Sequence, residues 1–164
     1  MKRGRKGYFF TLDAFIAMGI IVAGLVFVLT AYSYRPVTSQ ATVLGSDLML
    51  SLANTKVTEI NNDYVRNLTL NGTITNSDNS LLQQVGEFYV NNQNSMGREF
   101  VRNVTNNLIP VQYGFELRIN NTPVYNRSAF TRTNRLVTSS KSIVFGIYNN
   151  TMWGPLNAEV RVWQ

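Results

Sequence analysis

The sequence predicts an α+β fold, with a long N-terminal helix, shorter helices after it and an antiparallel sheet at the C-terminal end. Three observations predict this order: one long apolar run over residues 8–34, apolar residues at helical spacing up to about residue 108, and two-residue alternation from residue 111. Helices followed by strands, rather than alternating with them, are typical of the α+β class.

The apolar run over residues 8–34 predicts a transmembrane helix, because about 27 residues at ~1.5 Å rise per residue exceed the ~30 Å hydrocarbon core of a membrane. Residues 1–7 carry four cations and no anion. We therefore expect this basic leader in the cytoplasm and residues 35–164 outside the cell. A secretory signal peptide is the alternative. It fits less well because the run exceeds the usual stretch of about 7–15 apolar residues and only Ala31-Tyr32-Ser33 approaches a cleavage site.

The helices after the apolar run follow from the spacing of apolar residues. Pro36 predicts a kink, since proline lacks a backbone donor and clashes with the preceding turn. Beyond it, an amphipathic helix is predicted to about Ile60, and residues 61–79 are predicted to be turn-like. The residues that predict this helix are Val37, Ala41, Leu44, Leu48 and Leu52. A second helix, capped by Asn79 or Ser80, is predicted from Leu82, Val85, Phe88 and Tyr89. A third is predicted from Met96, Phe100, Val104 and Leu108.

The sheet is predicted from alternation of apolar and polar residues. Residues 111–119 alternate over nine positions and predict a half-buried strand. Asn120-Asn121 predicts a tight turn, and Pro123 marks the short return strand, residues 122–125, as an edge. A further strand is predicted within residues 136–148, at 142–148, and a last strand at 158–163, with a loop at residues 149–150 between them.

The first residues of the apolar run resemble a known family. Gly7 follows the basic residues, and the apolar stretch opens Phe10-Thr11-Leu12-Asp13. This arrangement resembles the N-terminus of type IV prepilins, and in particular the class III signal peptides of archaeal pilin-like membrane proteins. The resemblance covers about 30 of the 164 residues. The chain departs from the pattern in that Tyr8 and Phe9 precede Phe10 and Asp13 follows Leu12 directly, so cleavage after Gly7 makes Asp13 the sixth residue.

The resemblance implies a function. A prepilin peptidase would cleave between Gly7 and Tyr8, and Asp13 would pair with the new Tyr8 amine of the same or a neighbouring subunit. The partners implied are other copies of the chain or other pilin-like subunits, an assembly ATPase and a platform membrane protein. The fold implied is a helical spine packed on a C-terminal sheet. The alternative for Asp13 is a carboxylate that reaches the lipid headgroups from the helix start.

Two sets of residues are candidates for packing and modification. Small residues let membrane helices approach closely, although they are common in any membrane helix. The candidates for helix packing are Ala17, Gly19, Ala23, Gly24 and Ala31. All twenty asparagines follow the apolar run, and six of them begin an Asn-x-Ser/Thr sequence. These predict N-glycosylation, unless they are a by-product of asparagine-rich loops. The six are Asn67, Asn71, Asn103, Asn120, Asn126 and Asn149.

Composition narrows the function. The chain has no histidine and no cysteine, and no catalytic or metal-ligand motif is found, so we expect no enzyme activity and no cofactor. After Tyr34, eleven Lys and Arg stand against eight Asp and Glu in scattered positions, which argues against specific nucleic-acid binding. The prediction is a structural subunit of an extracellular type IV pilus-like filament. The alternative is a single-span, membrane-anchored extracellular binding or sensing domain that does not polymerise.

Overall fold

A computed structural model describes residues 6–33, 38–129 and 137–163. The chain divides into two compact units, Met1–Val37 and Thr38–Gln164. The first contains the apolar helix α1, Lys6–Ser33. The second contains further helices and a four-stranded antiparallel sheet. The predicted α+β class and the order of helices before strands are therefore confirmed. The kink predicted near Pro36 lies outside the described residues.

The second unit is a layer of helices on one face of a sheet. Its helices are α2 Thr38–Asn54, a 3₁₀ turn Val57–Glu59, α3 Asp63–Leu70, α4 Leu81–Val90 and α5 Asn94–Thr105. Its strands are β1 Gly114–Ile119, β2 Thr122–Arg127, β3 Thr138–Tyr148 and β4 Thr151–Trp163, in the spatial order β2-β1-β4-β3. Helices α2 and α4 pack on β3 and β4, and α5 packs on β2.

The alternation in the two central strands decides which face of the sheet is buried. Phe115 and Leu117 of β1 lie opposite Val162 and Val160 of β4, and all four are fully buried under the helices. The residues between them point to the opposite face because successive side chains of a strand alternate. That opposite face is called the outer face below.

Both hairpins of the sheet turn on asparagine pairs. Asn120 and Asn121 have φ of 47° and 65°, and Asn149 and Asn150 have φ of 49° and 61°. Two successive left-handed residues are typical of the two-residue hairpin turn whose twist matches the strands, and asparagine tolerates this conformation better than most residues. The tight turn predicted at Asn120-Asn121 is confirmed, and the loop predicted at residues 149–150 is the same kind of turn.

Two predictions about the helices are wrong. The helix predicted to reach Ile60 ends at Asn54, because Lys56 is extended and pairs with Ser80 in an isolated bridge. The region predicted to be turn-like contains α3. Asn62 caps this short helix, since its Oδ1 accepts from the backbone N–H groups of Tyr64 and Val65 at 2.9 and 3.3 Å.

Other boundaries also differ from prediction. Helix α5 ends at Thr105, so Leu108 lies beyond it, and β1 begins at Gly114 because Tyr113 N–H donates to the Pro110 carbonyl in a turn. Strand β3 begins at Thr138 and β4 at Thr151, earlier than predicted. The helix capped by Ser80 and the edge position of β2 are confirmed.

Candidate assembly segment

Helix α1 is long and apolar enough to cross a membrane. Its 28 residues extend about 42 Å. Within it, Leu12–Ala31 has a mean hydropathy of 2.6 and no buried side chain. N-terminal signal sequences pass the same test of length and composition. Because none of its side chains is buried, the helix needs an apolar environment that its own unit does not supply. Length and composition do not determine which end of the helix faces the cytoplasm.

The side chains of α1 are apolar on all sides of the helix axis, whereas a helix on the surface of a soluble protein has one apolar stripe. One polar group of this helix, the Thr30 hydroxyl, is hydrogen-bonded within the helix. Thr30 Oγ1 donates to the carbonyls of Val26 and Phe27, at 2.5 and 3.1 Å. A hydroxyl bonded to the preceding turn can enter hydrocarbon without leaving a donor unpaired.

Asp13 is the single charge between Leu12 and Ala31, and it lies about two turns after the helix start at Lys6. It is exposed, and the described side chains give it no ion-pair partner. A carboxylate within a membrane helix costs up to about 2.5–3.5 kcal/mol at the helix centre and less near an end. Asp13 therefore needs either headgroups and water or a cation from outside the described chain.

The predicted cleavage bond lies in the first turn of α1. The backbone is helical from Lys6, so both Gly7 and Tyr8 belong to the helix. The first four N–H groups of a helix have no partner within it, and first turns open readily. A peptidase would need only this one turn to unwind. Cleavage itself stays a prediction.

Among the described residues, no packing contact requires the small side chains of α1. A Cβ added at Gly19 or Gly24 would meet no other heavy atom within 4 Å. Ala17, Ala23 and Ala31 are likewise exposed. These five positions offer room for a second helix to approach closely, so helix packing through them also stays a prediction.

The structure separates the predicted glycosylation sites. Five are exposed: Asn67, Asn71, Asn120, Asn126 and Asn149. Asn103 is half-buried in α5, and its Nδ2 donates to the Glu99 carbonyl at 2.8 Å. Because Nδ2 is the atom that would carry a glycan, Asn103 is the least suited of the six.

A buried cluster of amides and one carboxylate was not predicted. Glu87 is 2% exposed and accepts from Asn79 Nδ2 at 3.0 Å and from Gln84 Nε2 at 3.4 Å. No ion pair to Glu87 is found among the residues that the structure describes. Burial raises the pKa of Glu87, and the two amide hydrogen bonds oppose this effect. The sequence does contain a sign of this cluster: Gln84 is a polar residue four positions before Phe88, which places it on the apolar side of α4.

Charged residues form a network on the outer face of the sheet. Arg161 donates to both carboxylate oxygens of Glu159, at 3.0 and 3.1 Å, and its Nη1 lies 3.8 Å from Glu116 Oε2. Arg118 lies directly opposite Glu159. The hydrogen bonds from Arg161 lower the pKa of Glu159, and the same contact raises the pKa of Arg161. Both groups are held in their charged forms, so this network suits a structural role on the sheet.

No protein-family model, curated protein or solved structure matches the chain. Within residues 6–33, 38–129 and 137–163, no group of three or more metal-binding side chains is found.

Proposed function

We propose that this chain is a structural subunit of a type IV pilus-like extracellular filament. It assembles through α1, and the α+β unit is displayed outside the membrane. The observation that carries the proposal is an apolar helix, exposed on all sides, with one carboxylate near its start. The resemblance of residues around Gly7 and Phe10-Thr11-Leu12-Asp13 to prepilins supports it.

The chemistry of assembly follows from Asp13. Cleavage after Gly7 would create a free amine at Tyr8, five residues before Asp13. In a bundle of apolar helices, each carboxylate loses water and needs a cation. Only the correct axial register brings the amine of one helix to the carboxylate of another, so the pair specifies register more than it adds stability.

The assembly would be open-ended, because each α1 packs against neighbours in non-equivalent positions. The partners proposed are other copies of this chain or other pilin-like subunits, a prepilin peptidase, an assembly ATPase and a platform membrane protein. Before assembly, membrane lipid surrounds α1.

The test is Asp13→Asn, which keeps size and removes the charge. We expect membrane insertion and protein level to stay near wild type, while the amount of chain in sheared filaments falls about tenfold or more, since a register preference of ~1.4 kcal/mol already gives a factor of ten. Asp13→Glu keeps the charge and should retain assembly better. Thr30→Val removes a self-satisfied hydroxyl of the same helix and should have little effect.

Two results would contradict the proposal. Filaments of Asp13→Asn at wild-type abundance would show that Asp13 is an interfacial carboxylate. A wild-type chain that is absent from sheared filaments would favour the anchored binding or sensing domain instead.

A further inference from the structure

The outer face of the β3–β4 hairpin carries exposed apolar side chains. Ile143, Phe145 and Ile147 alternate along β3 and so point to one side, while Val144 between them is buried. Met152 of β4 lies directly opposite Ile147 and joins them. The exposed fractions are 69% for Ile143, 53% for Phe145, 64% for Ile147 and 69% for Met152. These four residues are called the hairpin patch.

The hairpin patch is large for a surface that meets only water. Four side chains of this size, each more than half exposed, present on the order of 500 Å² of apolar area, near the top of the ~300–600 Å² range for the largest patch of a typical monomer. Single exposed apolar residues are ordinary, but contiguous ones on a rigid sheet mark a contact surface.

In the part of the chain that the structure describes, no strand pairs with the outer edge of β3, beside the hairpin patch. Among the described strands, β2 and β3 are the edges. Strand β2 has six residues, contains Pro123 and is paired with β1 through a register shift, all of which discourage a further strand. Strand β3 has eleven residues and no proline. A hydrogen bond from Gln83 Nε2 covers one of its carbonyls, that of Phe145, at 3.2 Å. The chain thus protects one edge of its sheet far more than the other.

Charge indicates what covers the hairpin patch. Residues 142–158 contain no charged side chain. The charged side chains of the outer face lie outside this segment, and they are Glu116, Arg118, Lys141, Glu159 and Arg161. Two copies of an uncharged patch can meet without burying a charge. An anionic membrane surface is a poorer match, because residues 142–158 have no cation and the neighbouring Lys141 lies directly opposite the anion Glu159. The tip of the hairpin is the exposed, uncharged pair Asn149-Asn150.

We propose that the hairpin patch is a contact surface between copies of this chain, an inference that rests on the proposed function because it identifies which face of the displayed unit meets a neighbour. About 500 Å² per copy is less than the ~800 Å² per partner of a stable complex. The contact is therefore weak between free molecules. The contact becomes occupied when α1 holds many copies together, since tethering raises the effective concentration of the hairpin patch to about the millimolar range.

Cross-linking of the full-length chain in its native membrane tests the contact. The chain has no cysteine, so each introduced thiol is unique. Ile147→Cys treated with a short bis-maleimide should give a product of twice the chain mass. Leu70→Cys is the matched control, because Leu70 is an apolar residue of α3 that is 75% exposed and outside the hairpin patch. It should cross-link about tenfold less.

A second substitution in the Ile147→Cys chain ties the product to the hairpin patch. Ile143→Glu places a carboxylate in each copy of the apolar contact and should lower the yield about tenfold. Leu70→Glu in the same chain should leave the yield unchanged. A cooperative urea unfolding transition, followed by the fluorescence of Trp153 and Trp163 in β4, confirms that the second unit of each variant is folded.

Three results would overturn the inference: equal cross-linking of Ile147→Cys and Leu70→Cys, a product whose mass is not twice that of the chain, or protection of the Ile147→Cys thiol by vesicles of anionic lipid alone. Failure of the hairpin contact is separable from failure of the proposed function. Wild-type chain in sheared filaments without cross-linking at Ile147→Cys removes only the hairpin contact. Cross-linking without filaments keeps the contact and removes the pilus-like assembly.

Discussion

Glu87→Gln is the sharpest perturbation of the second unit, because Glu87 is a buried carboxylate held by two amides and by no described cation. Burial raises the pKa of Glu87 above its usual 4.5. The protonated form therefore binds the folded state better. The stability that this group contributes is complete below the unfolded-state pKa and is lost as the pH rises through the folded-state pKa.

The magnitude follows from linkage. One proton binds more strongly to the folded state, so the wild-type free energy of unfolding falls by at most ~1.4 kcal/mol per pH unit between the two pKa values, relative to a chain that cannot titrate there. Gln at position 87 keeps the shape, and Gln84 can turn its amide to accept from it. We expect Glu87→Gln to match the wild type near pH 4 and to become the more stable chain as the pH rises above 4.5.

Urea unfolding of the full-length chain in mild detergent measures this difference. Both tryptophans, Trp153 and Trp163, lie in β4, so their fluorescence reports on the second unit. Glu99→Gln is the control, because Glu99 is half exposed and its ion pair with Arg102 is on the surface. A Glu87→Gln chain that is less stable than wild type at pH 7, with no change in the difference down to pH 4, would show that the ionised carboxylate is the better partner for the amides.

Three further predictions concern packing, processing and topology. Gly86→Ala places a Cβ 2.6 Å from Trp153 Cη2 and should lower the free energy of unfolding by about 1–3 kcal/mol, whereas Gly97→Ala meets Phe88 Cβ at 3.4 Å and should be tolerated; equal effects in urea unfolding would contradict this. Intact-mass measurement of the membrane-extracted chain should show a start at Tyr8, and retention of residues 1–7 would favour an anchored domain. Protease added to intact cells should digest the region after Tyr34 and leave α1 protected, and digestion only after lysis would reverse the predicted orientation.

Sequence periodicity predicted the elements whose burial is one-sided. In α4, Leu82, Val85 and Phe88 are all buried, and their spacing reveals the helix. Helix α3 was missed because it buries only Val65 among its eight residues and depends on the Asn62 cap. The first half of β4 was missed because Met152, an apolar residue, lies on the outer face and Pro155 interrupts the alternation.

The candidate assembly segment could be predicted from local sequence, whereas the hairpin patch and the buried cluster around Glu87 could not. Length and composition predict α1 as a membrane or assembly helix, since both are properties of a single continuous segment. The hairpin patch depends on which side of β3 the helices cover. That is decided by contacts such as Gln83 with Phe145, which are 62 residues apart in the chain. The buried cluster likewise needs Asn79, outside α4, to come against Glu87 within it. Neither arrangement is visible in local spacing.

Helix α1 and the hairpin patch, both exposed and apolar, would have different roles in an assembly. Helix α1 is apolar all round and carries 12 of the 24 exposed large apolar side chains of the described residues, so it can supply affinity but has no preferred side. Asp13 adds one charge at a fixed position along this helix. An ion pair there would define the axial position of each helix in the bundle, but not its rotation about its own axis. The hairpin patch is smaller than the surface of α1 but directional, because it lies on one face of a sheet, beside an edge strand that no other described strand covers. An ordered filament needs both axial position and rotation to be specified. Removing the charge of Asp13 should therefore lower incorporation into filaments about tenfold or more. Disrupting the hairpin patch should instead leave the chain incorporated and reduce the order of the displayed units.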